Sequence, residues 1–127
     1  MQRGLILFAH GARDPRWALP FEAIARRVRE ADPQLAVQLA FLEFMVPGLT
    51  DAGHTLAQAG CVRVDVVPLF LGAGGHVRKD LPLLLDELAR LHPTITWLLR
   101  PAIGEVDTVI TAMAQAALAL STNETAA

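Results

Sequence analysis

Two histidines stand where an apolar stretch gives way to cations. His10 follows Leu5-Ile6-Leu7-Phe8-Ala9 and precedes Gly11, Arg13, Asp14 and Arg16. His76 follows Val66-Val67-Pro68-Leu69-Phe70-Leu71 and the turn Gly72-Ala73-Gly74-Gly75, and precedes Arg78 and Lys79. A carboxylate, Glu43, closes a third apolar stretch. Imidazole titrates near neutral pH, so the two histidines could take or give protons. Imidazole also suits Co, Ni, Fe and Zn, and a pair of them with a carboxylate could hold such an ion. Arg13, Arg16, Arg78 and Lys79 would then face an anionic ligand, arginine being fitted for forked contacts to carboxylates. Gly72, Gly74 and Gly75 are expected to reach positive φ and let a large flat ligand approach the backbone.

For these groups to act together, the intervening chain must carry them to one edge. Strands are expected at about Gly4–Ala9, Ala36–Phe41 (running on through Leu42, Glu43 and Phe44), Val62–Leu69 and Ile95–Leu99. Pro68 lacks a ladder donor and belongs at the very end of pairing. Helical spacing runs from Trp17 to Ala31 and from Leu49 to Ala59, with Gly60 as a C-terminal stop. A third helix is expected from Asp80, with Pro82 in its first turn and Leu81, Leu84, Leu85, Leu88 and Leu91 as its apolar stripe. A fourth starts near Glu105, with Val106, Val109, Ile110, Met113 and Ala117 on one face. This alternation predicts a flavodoxin-like α/β domain over residues 1–120, a four-stranded parallel sheet of order 2-1-3-4 with helices on both faces. Residues 121–127 read as a frayed tail. Open α/β sheets bind ligands at the carboxyl ends of their strands. His10, Glu43, His76 and Arg100 all follow strands on that edge.

The composition agrees with a globular enzyme-sized domain. The chain has 127 residues, 53% of them hydrophobic and 19% charged, with a formal net charge of −2. That balance argues against non-specific nucleic-acid binding. The apolar surplus points to buried surface beyond a single core, as at an oligomer interface. A single cysteine, Cys61, excludes an intramolecular disulfide and a cysteine zinc cluster. No apolar run approaches the roughly 18 residues of a membrane span. His10 comes too early to leave room for a cleavable leader, so a cytoplasmic protein is expected.

Phosphate chemistry fits less well. Val77 stands where a dinucleotide fingerprint needs its third glycine, and no Gly-Lys-Ser/Thr is present. Phe8-Ala9-His10-Gly11 resembles the Arg-His-Gly start of histidine phosphatases, but Ala9 occupies the place of the arginine that would hold phosphate.

The blocks Leu7-Phe8-Ala9-His10-Gly11-Ala12-Arg13-Asp14-Pro15-Arg16, Ala40-Phe41-Leu42-Glu43 and Val67 through Pro82 resemble the small class II tetrapyrrole chelatases. The match is best with the short sirohydrochlorin cobaltochelatases and their relatives that insert iron or nickel. The resemblance implies ATP-independent insertion of a divalent ion, Co²⁺ foremost with Fe²⁺ or Ni²⁺ as alternatives, and no further cofactor. It implies a metal site at His10 and His76, with Glu43 assisting in catalysis. It implies a tetrapyrrole substrate and a homodimer in which each short chain stands for one half of a longer two-domain chelatase. Arg13, Arg78 and Lys79 would grip the carboxylate arms of the macrocycle, with Gly72, Gly74 and Gly75 beneath it. The His-rich tail of some relatives is absent from this sequence.

Other residues have plainer readings. Arg13 and Arg16 could simply pair with Asp14 and Glu22, and such surface pairs contribute little. His54 and His92 read as surface residues, Trp17 as a packing residue, and Met45 and Met113 as filler for a core or interface. A non-catalytic metal or tetrapyrrole carrier would need the same residues.

Overall fold

The structure is a computed structural model that describes residues 2–122, apart from Ala73 and the side chain of His76. The strands are β1 (Gln2–Ala9), β2 (Ala36–Phe41), β3 (Cys61–Pro68) and β4 (Thr96–Leu99). The helices are α1 (Leu19–Ala31), α2 (Leu49–Gln58), α3 (Gly75–Leu91) and α4 (Asp107–Thr122). Short 3-10 turns at Pro15–Ala18 and Ile103–Glu105 lead into α1 and α4. The sheet is parallel throughout with order β2-β1-β3-β4, as the alternation predicts.

β1 and β3 are central; the apolar run of β1 reflects cover on both faces, while β3 is buried mainly on one. On one face Ile6, Phe8, Val64 and Val66 pack under Leu49, Ala52 and Leu56 of α2 and Leu81, Leu85 and Leu88 of α3. On the other, Leu7 and Val37 meet Ala25 of α1. The register then sets the functional edge. Ala9 lies opposite Phe41, and Phe8 opposite Pro68, which is indeed the last paired residue of β3. Pairing continues one step further, with Leu42 N–H donating to the Ala9 carbonyl (2.9 Å) and Leu69 N–H to that of Phe8 (2.7 Å). The chain therefore emerges from β1, β2 and β3 at one level.

The third helix departs from the expected start at Asp80. Gly74 is its N-cap, in extended conformation (φ −68°, ψ 163°), and Arg78 N–H donates to the Gly74 carbonyl at 3.0 Å. Pro82 thus lies inside the helix, where its ring nitrogen has no hydrogen to give to the Arg78 carbonyl. An interior proline costs about 3 kcal/mol. Burying Leu81, Leu85 and Leu88 returns about 1.5–3 kcal/mol each, so packing wins.

The fourth helix differs in another way. Its expected apolar face is not in the core, since no residue of α4 is buried and Ile110 and Met113 remain 50% and 47% exposed. Ser121 and Thr122 continue α4, and the rest of the expected tail lies outside the described residues.

Candidate functional site

β1 ends into His10, and the next residue ties two strands together. Gly11 has φ +90°, and a methyl group there would overlap the backbone carbonyl of Glu43. Glu43 N–H in turn donates to the His10 carbonyl at 3.0 Å. The segment after β2 can approach this closely because position 11 has no side chain. Phe44 follows with φ 65°, and its ring lies under the Arg13 guanidinium, 4.9 Å from the centroid. A cation over an aromatic face contributes about 0.5–1 kcal/mol when exposed. Arg13 is thereby held beside the strand ends. Arg16 is not: it pairs with Asp14 at 2.9 Å, and those hydrogen bonds hold the Asp14 carboxyl below its usual range.

The His10 ring is exposed and stacks on Phe70, with centroids 4.2 Å apart. Phe70 packs in turn on Phe8 at 6.0 Å. This aromatic step sets the imidazole at the rim of a hollow of about 330 Å³. Its polar groups are His10, Glu43 and Asp80; Phe8, Leu42, Val77, Leu81 and Leu84 form its apolar wall. A second hollow of about 300 Å³ adjoins it through Val77 and Leu81, with Arg78, Arg100 and Glu105 at its margin. A larger depression, about 610 Å³, lies around Gln2 and Gln34 at the amino ends of the strands. It gathers no histidine and is at the wrong end of a parallel sheet for a ligand site.

The structure thus brings His10 and Glu43 together, as expected from the strand ends. Asp80 joins them, although its position read as a helix cap; only the early start of α3 turns it onto the hollow. His76 is the second residue of α3, in its first turn, and its side chain lies outside the described residues. Arg78 pairs with Glu105 at 3.6 Å, and Arg100 with Asp65 at 2.7 Å. Lys79 is exposed and lines neither hollow. The glycine expectation needs correction. Gly72, Gly74 and Gly75 are exposed and none takes positive φ. A methyl group at each would meet open space, so the bareness of the turn concerns access and not backbone strain. The glycines that packing demands are Gly11 and Gly104; a methyl at Gly104 would overlap the Leu71 backbone. Nothing local in the sequence marks those two, because each is fixed by a segment distant along the chain.

Among the described residues no three His, Cys, Asp or Glu side chains gather tightly enough to cage a metal ion. His54 and His92 form a pair elsewhere, with ring nitrogens 2.9 Å apart between α2 and the end of α3. Cys61 is buried, and desolvation raises its thiol pKa.

Comparison with known proteins bears on this arrangement. The CbiX family model matches residues 4–119. The sirohydrochlorin cobaltochelatase of Sulfurisphaera tokodaii is 32% identical over 88 residues, which make up 67% of this chain and 69% of that protein. The sirohydrochlorin cobaltochelatase of Methanocaldococcus jannaschii is 33% identical over 88 residues, 69% of this chain and 62% of that one. The crystal structure of a CbiX protein from Marinobacter aquaeolei VT8 superposes with a TM-score of 0.81 at 32% identity, covering 92% of this chain and 95% of that chain. The sirohydrochlorin chelatase SirB from Bacillus subtilis subspecies spizizenii, solved in complex with cobalt, shares the fold. Its TM-score is 0.82 at 21% identity, covering 94% of this chain and 51% of that one. With the family match running from β1 into α4, the chain belongs to the CbiX family.

Proposed function

We propose that this protein inserts a divalent metal ion, Co²⁺ foremost, into sirohydrochlorin without ATP. The observation that carries the proposal is the shared hollow of His10 and Glu43 at the carboxyl edge of a CbiX-family sheet. The reaction exchanges two pyrrole N–H protons for one M²⁺, so the site needs proton acceptors next to a place for the ion. His10 and Glu43 are acceptors of the right type, and Asp80 adds a third on the same hollow. His10 together with His76 would hold the incoming ion, imidazole suiting Co²⁺, Fe²⁺ and Ni²⁺ alike. The apolar wall of Leu42, Val77, Leu81 and Leu84 offers a surface for the face of the macrocycle.

Arg13, Arg78 and Lys79 would take the carboxylate arms. The Arg78–Glu105 pair is exposed, and such a pair is worth at most about 1 kcal/mol, so a substrate carboxylate can displace it. Remote carboxylate contacts offset the strain of bending the macrocycle, which presents its nitrogen lone pairs to the ion. The bare turn at Gly72, Gly74 and Gly75 leaves room for the edge of the ring. The active species is a homodimer, in keeping with the apolar surface that α4 leaves exposed.

Turnover separates this enzyme from a carrier of the same ligands. With metal-free sirohydrochlorin and Co²⁺ both in large excess over protein, an absorbance time course should show many conversions per chain above the protein-free rate. A spectral change that stops at one equivalent of protein would replace the enzyme with a carrier.

A further inference from the structure

His54 and His92 meet where α2 lies beside the end of α3, and both stand on firm backbone. Gly53 lets the elements close up: a methyl group there would press into Leu88 of α3 and Trp97 of β4. His92 is the C-cap of α3, and its N–H donates to the Leu88 carbonyl at 2.8 Å. Its own carbonyl accepts from Trp97 Nε1 at 3.3 Å and from Ile95 N–H at 3.2 Å. His54 lies within α2, with Asp51 three residues earlier on the same side of the helix. His54 is exposed and His92 half-buried, and His54 Nδ1 and His92 Nε2 are 2.9 Å apart.

A hydrogen bond accounts for that distance, but the pair has a second use. Two nitrogens each about 2.0–2.1 Å from one ion, and at right angles about it, lie about 2.9 Å apart. A tetrahedral ion with the same bond lengths needs about 3.3–3.4 Å. The separation therefore fits neighbouring corners of a square or tetragonal ion, the geometry of Ni²⁺ and Cu²⁺ among nitrogen and oxygen ligands. Two imidazoles leave the remaining positions to water, and no third ligating side chain gathers there among the described residues. To admit the ion, the hydrogen between the rings passes through solvent to the outer nitrogen of the same ring. Both rings stay neutral, no net proton is released, and the two facing lone pairs turn to the ion.

We infer that His54 and His92 form a second divalent-ion site, taking Ni²⁺ or Cu²⁺ through His54 Nδ1 and His92 Nε2 and tying α2 to α3. The site is separate from the hollow that holds His10. From Asp80 on that hollow, α3 carries the chain about 18 Å to His92. His92 lies ahead of β4, at the amino edge of the sheet. An ion held there takes no part in insertion. It acts on the fold, because a ligand bound only by the folded chain stabilises it. The site stands whether or not the chain inserts metal.

Calorimetric titration of Ni²⁺ into the untagged, chelator-treated full chain tests this. Wild type should bind one equivalent more than His54→Ala and one more than His92→Ala. The same difference should persist when all three chains also carry His10→Ala, which separates this site from the one proposed for insertion. Mg²⁺, which takes oxygen ligands, should show no such equivalent. Saturating Ni²⁺ should raise the melting temperature of His10→Ala by about 5 °C more than that of His10→Ala with His54→Ala. His54→Gln keeps a hydrogen-bonding partner for His92 but lacks the imidazole, and it should weaken Ni²⁺ binding at least tenfold. Should His92→Ala unfold, Trp97 reports instead, its ring centroid being 6.1 Å from that of His92. In a Trp17→Phe chain, Ni²⁺ should quench Trp97 fluorescence saturably, and His54→Gln should abolish the quench. Equal stoichiometry in wild type and both histidine variants, a loss confined to one of them, or a quench indifferent to His54 would overturn the site.

Discussion

Gly11 touches the backbone of Glu43 so closely that position 11 cannot carry a side chain, and Glu43 N–H returns a hydrogen bond to the residue before it. One contact thereby joins the ends of β1 and β2 and sets His10 and Glu43 on a shared hollow. The chemistry proposed for this edge depends on a residue that has no chemistry of its own.

Gly11→Ala should therefore harm both stability and activity. The methyl group meets the Glu43 carbonyl, and a left-handed conformation costs an L-residue about 1–2 kcal/mol before any clash. Thermal melting should fall by about 5 °C or more. Insertion should fall by a larger factor than the unfolded fraction explains. Gly72→Ala is the contrast, since a methyl there meets open space and should leave melting unchanged.

Arg13 lies over Phe44 and reaches the strand ends without a carboxylate partner being needed to hold it there. Arg13→Ala should raise KM for the tetrapyrrole about tenfold with little change in kcat, the pattern of a group that binds ground state and transition state alike. Phe44→Ala should shift KM in the same direction by less. A fall in kcat at constant KM would place Arg13 in the chemical step instead.

The sheet and the site were legible to different depths. Strand order followed from the β-α alternation, and the strand ends foretold that His10 and Glu43 would meet at one edge, because register in a parallel sheet is set by the same apolar residues that mark the strands. The start of α3 was hidden by Pro82, whose local cost is outweighed by leucines packing on the far side of the helix. Asp80 was missed as a result, since five more helical residues turn a presumed cap onto the hollow. Gly11 and Gly104 were overlooked for a related reason: what constrains them arrives from Glu43 and Leu71, both more than thirty positions away. The periodicity of α4 was visible, but a periodic face says only that something covers it, not which surface does.

Cys61 offers a check on the core beneath β1. Its buried thiol has a raised pKa, so the folded state prefers it protonated. That preference is intact below the unfolded value of about 8.5 and is lost as pH rises through the folded value. Native protein at pH 8 should react with a thiol reagent at least about a hundredfold more slowly than protein unfolded in denaturant. Above pH 9, wild type should lose melting temperature faster than Cys61→Ala. Equal labelling rates in the two states would mean that the amino-terminal strand pair opens freely.

The initial rate of Co²⁺ insertion into sirohydrochlorin by His10→Ala, measured beside wild type and His54→Ala, bears most directly on the proposed site. His10 is exposed, so its removal should leave the melting temperature in place while the rate falls by about a hundredfold or more, the range expected for a positioned acid–base group. His54, paired with His92 away from the hollow, should be dispensable. A His10→Ala protein that inserts cobalt at the wild-type rate would contradict a site at the ends of β1 and β2.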